Sequence, residues 1–188
     1  MGRTMDSFDD QLMRLSAGGD HAAFEQLVRR WEAMVGRVLS RLVVKSSERD
    51  DLCQEVFLRV YMACSRYQGE GQFKSWLFRI VLNVARDAGR RAQRRKSVAL
   101  PIESELPGRV DDLPDFEIKR GVRHAVAELS PEVREAIVLK HFAELTFNQI
   151  ATLTGSPAST IKSRVRQGLR ELRTHMIKRG LSPQELLP

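Results

Sequence analysis

The sequence predicts an all-α protein built as two small helical domains joined by a flexible acidic linker. Three observations carry this. Apolar residues recur at three- and four-residue steps through most of the 188 residues, and no stretch keeps the two-residue period of a strand. Aromatic residues make up 6% of the chain, so the core must come from Leu, Val, Ile and Ala, which helices pack readily. Between Val98 and Pro114 the periodicity stops. Pro101, Pro107, Gly108 and Pro114 stand there among Glu103, Glu105, Asp111 and Asp112, a composition that extends and repels itself. The division is therefore a first domain at 1–97, a linker at 98–114, a second domain at 115–180 and a tail at 181–188.

Each element has its own signal. Asp6 to Ser16 reads as a short helix ended by Ala17-Gly18-Gly19. Asp20 is placed to cap a long helix with Phe24, Leu27, Val28, Trp31, Val35, Val38, Leu39 and Leu42 on its apolar face. Ser46-Ser47 opens the next helix, running to about Tyr67, and Gln68-Gly69-Glu70-Gly71 is a loop. A helix from Phe73 to about Arg95 carries Trp76, Ile80, Val84 and Ala88 on one stripe, with Leu77 and Val81 beside it. Past the linker, helices are expected at 115–129 and from Ser130, as N-cap with Pro131 at the first helical position, to His141. Two more follow from Thr146 and from Ser156.

Composition excludes several classes. No apolar run approaches the ~18 residues of a membrane span. The N-terminal residues lead into no apolar signal segment, so a cytoplasmic protein is expected. Cys53 and Cys64 sit on one predicted helix about 16 Å apart along its axis, too far for a disulfide. His21, His124, His141 and His175 show no metal-ligand spacing, and no cofactor is expected. Net charge is +7, unevenly placed: −1 over 1–60, +7 over 61–99, −5 over 100–118, +1 over 119–144 and +5 over 145–188. Two basic blocks flanking an acidic one suggest a polyanion held at two places.

The sharpest motif runs from Thr146 to Val165. Thr146 with Gln149 forms a capping box, Ile150, Ala151 and Leu153 supply a packing face, and Gly155 permits a tight turn. Ser156 then caps a second helix opened by Pro157. This is a helix-turn-helix. On its second helix Ile161, Val165, Gly168, Leu169 and Leu172 fall together toward a core, while Ser159, Ser163, Arg166, Gln167 and Arg170 lie opposite. Lys162 and Arg164 lie on the flanks. In a DNA major groove the opposite row would meet base edges and the flanks would meet phosphates. The competing reading is a solvated basic face on an ordinary helical hairpin.

Two faces of the first domain stand out. Arg79, Asn83, Arg86, Arg90 and Arg94 share one side of the Phe73–Arg95 helix and can track a phosphate backbone. Tyr67, Phe73, Trp76 and Phe78 precede or begin it, and aromatics near such a stripe suit unpaired bases, although Trp76 reads first as core. On the preceding helix Leu52, Val56, Val60 and Ala63 face inward, and Asp51, Gln54, Glu55, Leu58 and Met62 outward. An apolar pair one turn apart, rimmed by acids and an amide, suggests a protein partner.

Three stretches together resemble bacterial sigma factors of the extracytoplasmic-function (ECF) type, the fourth group of the sigma-70 family. They are Asp51-Leu52-Cys53-Gln54-Glu55-Val56-Phe57-Leu58-Arg59-Val60-Tyr61, then Phe73 through Trp76 and Arg79 to Asn83, then Thr160-Ile161-Lys162-Ser163-Arg164-Val165. The resemblance implies that the first domain, like sigma domain 2, docks on the β′ clamp helices of core RNA polymerase and opens the −10 promoter element. Asp51, Gln54, Glu55, Leu58 and Met62 would make the docking face. Tyr67, Arg79, Asn83, Arg86, Arg90 and Arg94 would meet −10 DNA, with Asn83 and the 68–72 loop holding a flipped base. The second domain, like sigma domain 4, would rest on the β flap and read the −35 element through Ser159, Thr160, Lys162, Ser163, Arg164, Arg166 and Gln167. Where the family carries Gly before Thr160, this chain has Ser159. The resemblance further implies an acidic linker threading toward the polymerase channels and an anti-sigma protein that holds the factor inactive. No N-terminal autoinhibitory domain is expected.

Two other readings compete. A helix-turn-helix regulator that is no polymerase subunit would need a sensor or dimerisation domain, and the first domain shows no such pattern. A nucleic-acid-processing enzyme would need paired metal-binding carboxylates, a P-loop or a nucleophile with its base, and the sequence offers none.

Overall fold

The structure, a computed structural model, describes residues 2–43, 49–69, 71–96 and 113–178. All regular elements among them are helical: α1 Gly2–Ala17, α2 His21–Leu42, α3 Arg49–Ala63, α4 Phe73–Lys96, α5 Leu113–Glu128, α6 Pro131–His141, α7 Phe147–Thr154 and α8 Ala158–Lys178. They form two compact units, α1–α4 and α5–α8. The predicted helix opening at Ser46-Ser47, the linker at 98–112 and the tail at 181–188 lie outside the described residues.

In the first unit, α1 begins before the predicted Asp6 and buries Leu12 and Met13. Asp20 caps α2 as expected, its side chain accepting from Ala23 N at 3.0 Å. The buried face of α2 is Ala23, Leu27, Trp31, Val35, Val38 and Leu39. α3 buries Leu52, Val56, Phe57 and Val60. Its predicted last turn is instead a 3-10 turn, Cys64–Arg66, which brings Tyr67 out in extended backbone. α4 packs on α1, α2 and α3, so its buried face is broad: Phe73, Leu77, Phe78, Val81, Leu82, Val84, Ala85 and Ala88. Trp76 and Ile80, placed on the core stripe by spacing, are only half-buried. The reason is angular. With three helices covering it, the core face centres on Leu77, Val81 and Ala85, and Trp76 falls at its rim.

In the second unit, α5 begins at Leu113, two residues inside the predicted linker, with Pro114 in its first turn where a missing N–H costs nothing. Ser130 marks the start of α6 through its carbonyl, which accepts from Arg134 N at 2.8 Å; its hydroxyl makes no cap bond. The capping box is present in full on α7, with Thr146 Oγ1 accepting from Gln149 N and Gln149 Oε1 accepting from Thr146 N. Gly155 follows at φ 69°, the left-handed conformation this turn requires. α8 opens one residue later than spacing indicates. Pro157 O accepts the first intrahelical bond, from Ile161 N, and Ser156 is not the cap; its hydroxyl accepts from Arg164 Nη1 instead. Ile161, Val165, Gly168 and Met176 are buried, but Leu169 is 47% exposed. It sits about 80° around the helix from Ile161, beyond the stripe that the neighbouring helices cover.

Candidate nucleic-acid and protein interfaces

α3 presents its outward face much as spacing predicts. Asp51 and Gln54 are exposed, and Leu58 and Met62 are 58% and 68% exposed. Fully covering such side chains is worth about 1.5–3 kcal/mol each, so leaving both in water on one face has a cost that a partner would remove. Tyr61, which spacing did not single out as a site residue, is also exposed between them and rests edge-on against Phe24 at 5.0 Å. Glu55 departs from expectation. It is half-buried and pairs within the unit, to Arg59 at 2.5 Å and to Arg91 at 3.3 Å. Asp87 joins the same cluster through Arg59 at 3.3 Å and through Arg90. Burial works against the Asp87 charge, but hydrogen bonds from Arg90 and Arg59 outweigh it and hold the carboxyl below the usual range. Glu55 thus clasps α3 to α4, and the acidic rim of the apolar pair is Asp51.

On α4, Arg79, Asn83, Arg90 and Arg94 are exposed and Arg86 is half-buried, all on one side of the helix. Helical geometry puts Asn83 on the flank it shares with Trp76. Trp76 stands 4.8 Å from the Tyr67 ring and 6.0 Å from Phe73. An aromatic surface and an amide therefore lie on one flank of a basic row, about two turns apart. Spacing alone assigned Trp76 to the core, because a row of residues four apart does not reveal how wide a face three neighbouring helices will bury. Tyr67 is half-buried and its hydroxyl donates to Asp10 of α1. What it can offer an incoming base is ring, more than hydroxyl.

On α8 the expected outer row holds: Ser159, Ser163, Arg166, Gln167 and Arg170 are all exposed, as is Lys162, and Thr160 is half-buried. Gln167 Nε2 donates to Glu171 Oε1 at 2.8 Å, a bond a base edge could replace. Lys162 lies 5.8 Å from the Phe147 ring of α7, whose centroid Lys140 also approaches at 4.9 Å. Two cations thus flank the start of the helix-turn-helix. Arg164, placed on a phosphate-binding flank by angle, is half-buried and turned toward Ser156, where it braces the turn. Among the described residues no group of three or more His, Cys, Asp and Glu could hold a metal ion, and no helix is long and apolar enough to cross a membrane.

Comparison with known proteins finds two family matches, one in each unit. A family model described as sigma-70 region 2 matches residues 27–95, and one described as sigma-70 region 4 matches 119–172. The chain is 33% identical over 170 residues to the ECF RNA polymerase sigma factor SigE of Mycolicibacterium smegmatis, an alignment covering 86% of this chain and 66% of that protein's length. It is 30% identical over 171 residues to the RNA polymerase sigma-H factor of Pseudomonas aeruginosa (84% and 88%), and 29% identical over 169 to the ECF sigma-E factor of Escherichia coli (84% and 88%). Among solved structures, CnrH in complex with the cytosolic domain of CnrY superposes with TM-score 0.70 at 24% identity, covering 91% of this chain and 98% of that one. The sigma factor RpoE in complex with the anti-sigma factor NepR, from Bartonella quintana, gives 0.66 at 24% identity, covering 81% and 96%. At that identity the likeness is one of fold.

Proposed function

The chain belongs to the ECF family of bacterial RNA polymerase sigma factors, and from that premise we propose how its surfaces divide the work of promoter recognition. It is a non-catalytic specificity subunit acting in the cytoplasm. The first unit, residues up to about 97, docks on the β′ clamp helices of core polymerase through Gln54, Leu58 and Met62, with Asp51 at the rim. Tyr61 extends that surface, and Glu55 positions it from within. The −10 element meets Arg79, Asn83, Arg86, Arg90 and Arg94, with Trp76 and the Tyr67 ring as the stacking surface for an unpaired base. The second unit, from about 115 to 180, rests on the β flap and reads the −35 element with α8. Residues 98–112, ahead of α5, serve as the tether. An anti-sigma protein, the class of partner with which the sigma factor RpoE was co-crystallised, would hold this factor inactive by covering both units, and a tether would favour paired attachment by effective concentration.

The observation that carries this reading is the exposed Leu58–Met62 pair on an otherwise polar face of α3. Truncating buried interface anchors commonly costs about 2 kcal/mol, roughly thirtyfold in affinity. A Leu58→Ala, Gln54→Ala double variant is expected to bind core polymerase about thirtyfold more weakly with unchanged helical content. Wild-type affinity in that variant, measured by fluorescence titration against core polymerase, would remove the basis of the proposal.

A second expectation separates base readers from phosphate holders on α8. Ser163, Arg166 and Gln167 face away from the core near the start of the helix, whereas Lys162 stands at its flank beside Phe147. Replacing Arg166 with Ala should relax preference at one or two −35 positions by about 1–3 kcal/mol. Lys162→Ala should weaken all sequences alike and lower the slope of log affinity against log salt by about one. A Lys162 variant with altered base preference would reverse the assignment.

A further inference from the structure

The turn between Tyr67 and Gly71 is tied from outside the matched sigma segments. Asp10 lies on α1, ahead of residue 27 where the region 2 match begins, and is only 3% exposed. Its Oδ1 accepts from the Tyr67 hydroxyl and its Oδ2 from Gly71 N–H. One carboxylate therefore holds both ends of the turn. The Tyr67 ring occupies the space that any side chain at Gly69 would need, so Gly69 packs directly against the tyrosine. α1 is itself anchored, by buried Leu12 and Met13 and by the Asp9–Arg30 ion pair at 2.9 Å.

We propose that Asp10 is a positioning residue for −10 recognition: by fixing Tyr67 and Gly71 it presets the Tyr67 ring against Trp76 at the entry to α4 and so sets how strictly −10 bases are distinguished. This rests on the reading above that the turn and Asn83 receive a −10 base. The physical reason is preorganisation. A short turn with a glycine at each of two positions samples many conformers in the free chain, and a base pocket discriminates only when its walls are held in one. A buried carboxylate with both oxygens engaged is a strong restraint, and its placement on α1 couples the turn to an element that lies ahead of the matched region 2 segment.

The test uses full-length protein assembled with core polymerase, transcribing a pool of promoter fragments randomised through the −10 element, with transcripts counted by sequencing. Asp10→Ala is expected to flatten the wild-type base preference by roughly tenfold, the factor one or two lost hydrogen bonds carry. Core-polymerase affinity should stay at the wild-type value, since the α3 face is untouched. Asp10→Asn should retain most of the preference, because the amide can accept from Gly71 N–H and donate to the Tyr67 oxygen. Tyr67→Phe should flatten it several-fold, and adding Asp10→Ala should then cost less than it does alone. If Asp10→Ala fails to fold, Tyr67→Phe decides the matter alone. Wild-type preference in a folded Asp10→Ala or in Tyr67→Phe overturns the proposal. So does an equal loss from every promoter accompanied by weaker polymerase binding, which marks a purely structural role. A wild-type factor with no −10 preference at all would instead overturn the reading on which it rests.

Discussion

A Gly168→Leu substitution is expected to remove about 3 kcal/mol or more from the stability of the second unit while leaving the first intact. Gly168 lies at the closest approach of α8 to α6. A Cβ there would come within 2.5 Å of Ile137 Cγ1 and 2.9 Å of Val133 Cγ1. Both neighbours are β-branched and stiff at χ1, so neither can swing aside without moving α6. Gly168→Ala is the milder case. Its gain of roughly 1 kcal/mol in helix propensity offsets part of an overpacking cost of about 1–3 kcal/mol. Hydrogen exchange on the full chain measures both effects, with amides of α5–α8 losing protection and those of α1–α4 keeping it. A double cycle with Ile137→Ala adds a sharper criterion, because the new methyl would fill part of the space the isoleucine vacates. The pair should be coupled favourably by about 1 kcal/mol or more. Additive effects, or full stability in Gly168→Leu, would show that α6 and α8 can separate freely. The recognition row on α8 would then not be held against a fixed support.

What could be read from sequence alone follows from how far apart the interacting residues are. The Thr146–Gln149 capping box, the Asp20 cap and the left-handed Gly155 are legible because each is settled within four residues by local hydrogen bonds. The exposed row Ser159, Ser163, Arg166, Gln167 and Arg170 is legible because a single helical period decides it. Glu55 looked like an outward acid because, beyond Arg59 four residues on, the partner that ties it to α4 is Arg91, 36 residues away. Asp9 and Asp10 gave no signal at all, since adjacent acids on a short helix ordinarily sit in water. Their partners are Arg30, Tyr67 and Gly71, at separations of 21, 57 and 61 residues. Burial pushes the Asp9 carboxyl above the usual range despite Arg30, so the packing of α1 overrides what local sequence prefers. Trp76 and Leu169 were both placed deeper than they lie, for one reason. The width of a buried face depends on how many helices cover it, and periodicity gives only its direction.

Arg134→Ala is expected to cost the second unit about 3 kcal/mol, and Arg134→Lys nearly as much. The last carbonyls of a helix have no partners within it, and this one side chain from α6 meets two of those of α5 and that of Leu129 just past its end. Arg134 Nε donates to Val126 O at 3.1 Å, and Nη2 donates to Ala127 O and to Leu129 O at 3.0 Å. Burial lowers the Arg134 pKa, so its cation is partly stripped of water, and the negative end of the α5 dipole takes the place of that hydration. The fork matters as much as the charge. A guanidinium presents fixed donors in a plane, whereas a lysine ammonium is a point charge on a flexible stem and cannot span three carbonyls. Removing Arg134 should loosen α5 against α8, where His175 Nδ1 stands 2.6 Å from Glu128 Oε2, and thereby the base of the recognition helix. Because the site is sheltered, the loss should persist at high salt, where an exposed ion pair would be screened. Thermal and denaturant unfolding of the full chain, followed by hydrogen exchange in α5–α8 at two ionic strengths, reads all of this. An Arg134→Lys variant as stable as the wild type would mean that charge alone suffices, and that the three-carbonyl fork does not hold α5 to α6.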